Sequence, residues 1–264
     1  KRLVDDLSLP LAVAAGVMVA VGLAIRGGAN SVSTQHGITG TALALCGSAA
    51  ALLTLLMAWP TAGFVIAVSL FNFALLTLAA FWGRLPALLS AAAGSLSLGL
   101  IVLIHLVRGD VSASLSAQEW LALFIDASSS MAFSIVAVAA GLAAVGLRGH
   151  GRLAERGWSD FPRYLAYHCA AAGTLSIGAA VASGFWSSIN VDLHIATGVL
   201  LGYTLASLII GCWIRNRVLL RTGSGLLLLT FLHGLIANRA LQAAIPGLTL
   251  EGAAPWLTAL LVHA

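Results

Sequence analysis

Eight apolar runs, each close to the length that crosses a lipid bilayer, dominate this sequence and limit what it can fold into. The hydrocarbon core takes about 20 residues of α-helix, and a backbone inside it must satisfy its own hydrogen bonds. The runs lie at residues 8–25, 38–58, 61–82, 86–107, 121–147, 164–185, 193–213 and 219–237. We therefore predict an all-α integral membrane protein, a bundle of about eight transmembrane helices.

The composition supports the same fold class. Of the 264 residues, 60% are hydrophobic and 8% are charged, whereas a soluble domain carries roughly a quarter charged residues. The outer surface is therefore expected to face lipid. The 28 glycines suit close helix packing in membranes, not the alternating strands of a membrane β-barrel. The dispersed arginines lack the clustered basic face of a nucleic-acid-binding protein, so we expect no nucleic acid partner.

Basic residues in the short loops indicate the orientation. One side collects nine: Arg26, Arg84, Arg148, Arg152, Arg156, Arg163, Arg215, Arg217 and Arg221. The other collects four: Lys1, Arg2, Arg108 and Arg239. Because cytoplasmic loops carry the excess of Lys and Arg, we predict a multi-pass protein of a bacterial-type inner membrane. Loops 26–37, 83–85, 148–163 and 214–218 are then cytoplasmic, and the Lys1 end is outside.

The tryptophans and the chain ends add two expectations. All seven tryptophans are at or near a predicted span end, where interfacial rings are expected: Trp59, Trp82, Trp120, Trp158, Trp186, Trp213 and Trp256. The sequence begins without a methionine and stops at Ala264, inside an apolar run that opens at Trp256. Because such a short run cannot span a bilayer, we expect a segment of a longer polypeptide.

Two stretches suggest an internal repeat. LIHLVRGD at 103–110 and FLHGLIANR at 231–239 both place a histidine late in a span and an arginine just beyond it. Each is followed by a polar loop and by a Trp-Leu pair that opens a new run. The pattern predicts a four-helix membrane unit at 1–118, a second at 119–255, and the start of a further span at 256–264.

Polar side chains within lipid are costly and are the default place to look for a site. Four of them are predicted to lie at similar depth in the outer halves of their spans: His105, Asp126, His194 and His233. They would form one cluster if the fourth, fifth, seventh and eighth spans converge. His168 differs, because it begins the sixth span on the cytoplasmic side.

Several chemistries fit these residues, and the spacing leaves them open. His105, His194 and His233 could ligate a haem iron or a chlorin magnesium. Asp126 with a histidine could relay protons or bind a cation. A quinone headgroup could lie between a histidine and the run 128–130. Alternatively, the histidines are amphipathic rings at the interface, and Asp126 accepts hydrogen bonds near a helix N-terminus.

Other motifs argue against an enzyme and suggest contacts instead. Cys46, Cys169 and Cys212 form no CxxC pair, so no metal site is predicted. The sequence contains no phosphate-binding loop, HExxH motif or hydrolase GxSxG. Gly198 and Gly202 form a GxxxG pair, which is typical of close helix contacts within a chain or with a partner subunit.

One stretch resembles a known family. EWLALFIDASSSMAF at 119–133, followed by an arginine-containing loop and FPRYLAY at 161–167, looks like the early helices of the proton-pumping antiporter-type subunits of respiratory complex I. In that family an aspartate and a serine open one helix, and an Arg-Tyr pair starts the next. The family also relies on a glutamate and lysines buried within helices, which the last three spans here lack. No residue role is therefore carried over.

Scarce intramembrane charge, abundant small residues and the missing catalytic motifs together favour one interpretation. The chain is expected to be a structural or accessory subunit of a larger membrane assembly, in contact with lipid and with other membrane subunits. One alternative is a haem- or chlorin-binding subunit for electron or energy transfer, using His105, His194 or His233. Another is an ion- or proton-coupled transporter subunit centred on Asp126.

Overall fold

A computed structural model describes residues 2–27, 35–59, 61–111, 117–148, 158–186 and 190–236. In this part of the chain there are nine α-helices and no strand. They are α1 (Arg2–Gly27), α2 (Gln35–Ala58), α3 (Ala62–Gly83), α4 (Leu88–Arg108), α5 (Ala117–Phe124), α6 (Ala127–Arg148), α7 (Phe161–Trp186), α8 (Asn190–Trp213) and α9 (Arg217–Ile236).

All but α5 are long and apolar enough to cross a membrane, which gives eight candidate spans among the described residues. The prediction of an all-α, multi-pass membrane protein is therefore confirmed. The expected further span at 256–264 lies outside the described residues, as do Lys1 and the loop segments 28–34 and 149–157.

The fifth predicted span, 121–147, was wrong in one respect, because the chain breaks between α5 and α6 at Ile125 and Asp126. The backbone N–H of Asp126 bonds to the carbonyl of Leu123 at 3.3 Å and closes α5 with a tight turn. The Asp126 side chain then accepts a hydrogen bond from the N–H of Ser128 at 3.2 Å. Short polar side chains compete with the helix for backbone groups, which is why they start helices more often than they continue them.

The described helices belong to two compact units. The first comprises Lys1–Glu119 and Ile135–Ala172, and the second comprises Trp120–Ser134 and Gly173–Ala264. Both α6 and α7 contribute residues to each unit. The predicted repeat with four-helix units at 1–118 and 119–255 stays a prediction.

In the first unit, α1 and α2 pack backbone against backbone through glycines. A Cβ atom on Gly22 would lie 2.5 Å from the backbone nitrogen of Ala44, and one on Gly40 would lie 2.6 Å from that of Arg26. No real side chain fits at such distances, so only glycine allows this approach. Next to this contact, the Arg26 guanidinium of α1 donates a hydrogen bond to the Thr41 hydroxyl of α2 at 2.8 Å.

Helices α3 and α4 form a hairpin in the same unit. Arg84 adopts a left-handed conformation (φ 53°) and ends α3. Further along the pair, a Cβ on Gly99 of α4 would lie 2.9 Å from the Cβ of Ser69. At the hairpin end, Phe81 stacks on Phe161 of α7 with ring centroids 4.7 Å apart, and the Trp158 indole N–H bonds to the Phe81 carbonyl at 3.2 Å.

The second unit is built around a small buried cluster to which α6, α7 and α8 contribute: Ala127, Ala180, Ala196 and Leu200. Leu229 of α9 packs against this cluster. Helices α8 and α9 form a hairpin in which Asn216 caps α9 by accepting the N–H of Val218 at 2.9 Å.

Candidate functional site

His105 lies in the last turn of α4, in the first unit, and is 1% exposed. Its Nδ1 lies 2.9 Å from the Asp110 carboxylate, and Nε of Arg108 lies 3.3 Å from the same oxygen. Between them Gly109 takes a left-handed conformation (φ 80°), which ends the helix. Because a carboxylate only accepts hydrogen bonds, the histidine carries its proton on Nδ1. His105 thus helps to close α4 through a local hydrogen bond to Asp110, with which Arg108 forms an ion pair.

Asp126 lies in the second unit, at the break that precedes α6. Besides the side-chain bond to Ser128, its backbone carbonyl accepts the N–H of Ser130 at 3.2 Å. The carboxylate therefore sits at a helix N-terminus, where unpaired N–H groups and the helix dipole favour negative charge.

The run 128–130 is fully buried beside this cap and ties helices together. The Ser129 hydroxyl donates to the Leu123 carbonyl of α5. The Ser176 hydroxyl of α7 donates to the Ser130 carbonyl at 2.7 Å and also lies 2.7 Å from the Ser134 hydroxyl. These serines thus hold α5, α6 and α7 of the second unit together. Inside the bilayer no water is available to bond to their hydroxyl groups, so the hydroxyls bond to neighbouring helices instead.

The other two predicted histidines differ in environment. His194 is exposed in the first turn of α8. His233, near the end of α9, is 7% exposed, and its Nδ1 lies 3.1 Å from the Thr197 hydroxyl of α8. That hydroxyl donates its proton to the Leu193 carbonyl at 2.7 Å, so Nδ1 of His233 must be the donor. Nε2 then holds a lone pair, and it is buried without a partner in the described residues.

The second unit therefore contains Asp126, His194 and His233, while His105 belongs to the first. Ala127, next to Asp126, and Ala196, two residues after His194, share the buried cluster of this unit. Among the described residues, no group of three or more His, Cys, Asp or Glu side chains could hold a metal ion. Cofactor binding by these residues stays a prediction.

A cavity of about 180 Å³ lies in the first unit, between α3, α4, α6 and α7. Its walls are almost wholly apolar, and two of its lining residues, Thr77 and His168, carry polar side-chain groups. The Thr77 hydroxyl is buried and lacks a hydrogen-bond partner in the described part of the chain. Nδ1 of His168 lies 2.5 Å from the Tyr164 carbonyl. Sequence reasoning set His168 aside and missed Thr77, because nothing local links two residues so far apart in the chain.

Sequence reasoning also missed Asn72, which is wholly buried near the middle of α3. Its Nδ2 donates to the Ala51 carbonyl of α2 at 2.6 Å. Its Oδ1 is buried without a partner among the described residues, as are the hydroxyls of Ser69 and Ser95. An amide inside a long apolar run was the available signal, since a lipid-embedded amide needs a partner.

Helix α8 presents a face of small residues to its surroundings. Gly198 and Gly202 are exposed, and a Cβ on either would meet no atom within 4 Å in the described structure. Among the described candidate spans, the one in α8 has the lowest buried share, 22%, against 28% to 39% for the others. The predicted GxxxG contact is therefore not made within the described part of the chain.

No protein-family model, curated protein or solved structure matches the chain.

Proposed function

We propose that this polytopic membrane protein is a structural or accessory subunit of a larger membrane assembly. The observation that carries the proposal is the outward GxxxG face of α8, formed by Gly198 and Gly202. The partner is a transmembrane helix that packs on this face.

The glycines inside the chain support this assignment. Gly22 and Gly40 permit a backbone contact between α1 and α2 that any Cβ would block. Contact with lipid does not require glycine, since lipid tails solvate a leucine face as well as a glycine face. Helices in a bilayer associate mainly through van der Waals packing, for which small residues at spacing i and i+4 allow the closest approach. The exposed glycine pair on α8, the least buried span, is therefore best explained by contact with a partner helix that does not belong to the described residues.

The surrounding side chains fit the same role. Leu201, Leu205 and Ile209 flank the glycines on the outward side and are 43%, 49% and 63% exposed. Spaced four residues apart, they form one aliphatic ridge beside the row of glycines, and a partner helix can pack closely against that surface.

The test compares Gly198→Leu/Gly202→Leu with Gly225→Leu. Gly225 is also exposed, on α9, with open space where a Cβ would be, and it has no small residue four positions away. Each protein is extracted in mild detergent and its mass measured by native gel and light scattering. We expect the wild type and Gly225→Leu to migrate in the same assembly, well above the 27.0 kDa of the chain, and the double variant to be released from it.

A wild-type chain that stays monomeric would contradict the proposal, as would an assembly that the double variant leaves intact. An assembly of identical chains would make the partner helix a second copy. Thermal unfolding of each variant checks that the substitutions act on association and not on folding.

The proposal includes a bacterial inner membrane, with the arginine-rich loops in the cytoplasm. In a background without Cys46, Cys169 and Cys212, single cysteines at Ser159 and at Val111 report the two sides. A membrane-impermeant maleimide applied to intact spheroplasts should label Val111→Cys and spare Ser159→Cys until the membrane is permeabilised. The reverse labelling would overturn the orientation.

Haem or chlorin binding through His105, His194 or His233 is a separate prediction. Oxidised and dithionite-reduced absorption spectra of the purified protein test it, because a ligated tetrapyrrole absorbs visible light. A band that one His→Ala substitution removes would identify the ligand and favour a redox or pigment subunit.

A further inference from the structure

We propose that a groove between α1 and α3 holds an acyl chain of an anionic phospholipid, whose phosphate binds Arg26 and Arg84. The site belongs to the first unit and does not depend on the accessory-subunit proposal. It rests on an apolar groove that opens on the lipid-facing surface and on two arginines at one end of that groove.

The groove has a volume of about 290 Å³ and is lined only by α1 and α3. Its inner part is formed by Val19 and Ala79, each 1% exposed. Its outer part is formed by residues that are exposed, among them Ala24, Leu78 and Trp82. Apart from the Trp82 indole, no lining residue has a polar side chain. The groove therefore opens directly to the hydrocarbon of the bilayer and suits a hydrocarbon occupant.

The groove runs lengthwise along the two helices. On α1 its lining extends from Val19 to Gly27, which is about 12 Å at 1.5 Å per residue. On α3 it extends from Leu75 to Trp82, which is about 10 Å. Because α2 alone separates α1 from α3, the two helices run in the same direction across the membrane. A chain in the groove would therefore lie along the helices, as acyl chains do in a bilayer.

Both arginines are at the end of the groove where the two helices end. Arg26 directly precedes Gly27, the last residue of α1, and Arg84 directly follows Gly83, the last residue of α3. A Cβ atom on Gly83 would lie 2.7 Å from Cδ2 of Leu23 on α1. The two helix ends are therefore in contact, and the arginines belong to the same end of the groove.

The two guanidinium groups are available to an anion. Among the described residues, neither arginine forms an ion pair with a carboxylate. Arg26 donates one hydrogen bond to the neutral Thr41 hydroxyl, and Arg84 is exposed. A guanidinium has five N–H donors, and its geometry matches a phosphate. Trp82, 81% exposed beside Arg84, marks the level of the headgroups, where interfacial tryptophans are expected.

Charge complementarity selects an anionic phospholipid over other occupants. A free phosphate would bind the arginines and leave the apolar groove unused. A partner helix would fill the groove and leave both arginines without a counter-charge. A zwitterionic lipid has a phosphate, but its own cation competes with the arginines for that phosphate. An anionic phospholipid satisfies the groove through its chain and the arginines through its headgroup.

The experiment titrates the purified, delipidated chain with dioleoyl phosphatidylglycerol or dioleoyl phosphatidylcholine in detergent and counts bound lipids by native mass spectrometry. The acyl chains are identical, so a difference in affinity reports the headgroup. We expect saturable binding of one phosphatidylglycerol, at least tenfold tighter than phosphatidylcholine, because each arginine should favour the anionic lipid about fivefold.

Arginine variants test the headgroup contact. Arg26→Gln retains an amide N–H for Thr41, and Arg84→Gln retains a side chain of similar length. Each should weaken phosphatidylglycerol binding about fivefold and leave phosphatidylcholine binding unchanged. The double variant should bind both lipids equally. Arg217→Gln is the matched control, because Arg217 is also exposed and lies at a helix end on the same side of the membrane, but in the second unit.

A second set of variants tests the groove. Ala20→Leu/Ala24→Leu places larger side chains on exposed lining positions and should abolish saturable binding of phosphatidylglycerol. Ala74→Leu is the control, since Ala74 is exposed on α3 and does not line the groove. It should bind as the wild type does. Thermal unfolding checks that each variant is folded, and the arginine variants decide the proposal if the groove variant is not.

Equal affinity of the wild type for the two lipids would overturn the proposal. So would a preference for phosphatidylglycerol that the double arginine variant keeps, or binding that Ala20→Leu/Ala24→Leu leaves unchanged in a folded protein. Displacement of phosphatidylglycerol by equimolar glycerol phosphate would mean that the arginines bind a free phosphate without the groove. A dimer that only the groove variant loses would place a second copy of the chain there and would equally reject the lipid.

Discussion

The side-chain amide of Asn72 donates a hydrogen bond to the backbone carbonyl of Ala51, 2.6 Å away, and so joins α3 to α2. Asn72 is 0% exposed, and the bond lies well inside the span. Within the hydrocarbon no water is present to replace this partner. The contact therefore fixes which faces of the two helices meet.

Asn72 should nevertheless contribute modestly to stability. The Ala51 carbonyl keeps its helical partner when the amide is removed, and an apolar replacement also eliminates the unpaired Oδ1. We expect Asn72→Leu to change the free energy of unfolding by less than about 1 kcal/mol. Asn72→Asp, which places an acid in the bilayer interior, should destabilise by roughly 3 kcal/mol. Unfolding in mixed micelles measures both, and a large loss in Asn72→Leu would mean that the amide has a further partner.

The glycine contact between α1 and α2 gives a second prediction. Gly22→Ala places a methyl group 2.5 Å from the Ala44 nitrogen and must separate the helices. It should destabilise the protein by roughly 1–3 kcal/mol. Gly94→Ala on α4 is the matched control, because its Cβ would meet no described atom within 4 Å. That variant should be neutral or up to about 1 kcal/mol more stable, from helix propensity alone.

Thermal unfolding in the same detergent compares the melting temperatures of Gly22→Ala and Gly94→Ala, and we expect the first to be lower. Equal melting temperatures would show that α1 and α2 do not touch at Gly22.

Asp126 gives a third prediction, through its cap on α6. Asp126→Asn retains an oxygen that can accept the Ser128 N–H and should preserve stability. Asp126→Ala removes that oxygen and should destabilise by about 1 kcal/mol. Chemical unfolding followed by circular dichroism measures the difference. If Asn and Ala are equally destabilising, the charge matters and not the cap, and the transport alternative centred on Asp126 would gain weight.

Sequence alone identified the spans because hydropathy depends on composition over many residues. The interfacial tryptophans were also informative, since Trp82 and Trp213 are 81% and 85% exposed at the ends of α3 and α8. Trp120, in α5, is different, because it is only 1% exposed. The break before α6 escaped hydropathy because Ile125 and Ala127 continue the apolar run on either side of Asp126.

The site residues were harder to predict, because burial and partners depend on how helices pack. His105 and His233 look alike in the sequence, each late in a span, yet one bonds to Asp110 on its own chain segment and the other to Thr197 on the preceding helix. Thr77 and His168 meet in one cavity only through the arrangement of α3 and α7. No local spacing encodes that arrangement, so the sequence could not distinguish these histidines from one another.

The contact between Thr197 and His233 gives the last prediction. The Thr197 proton is used by the Leu193 carbonyl, so the His233 Nδ1–H depends on the Thr197 oxygen. Thr197→Val leaves that N–H buried without an acceptor and should destabilise by about 1–2 kcal/mol. Thr222→Val is the control, since its hydroxyl is exposed and bonds only within α9. It should change stability by less than about 0.5 kcal/mol.

A double-mutant cycle with His233→Leu separates the contact from the individual side chains. The coupling energy between the two positions should be about 1 kcal/mol, and nitrogen NMR of the wild type should place the imidazole proton on Nδ1. Additive effects, or a proton on Nε2, would mean that the imidazole does not donate to Thr197. In that event Nε2 would no longer be the free lone pair that makes His233 a candidate ligand.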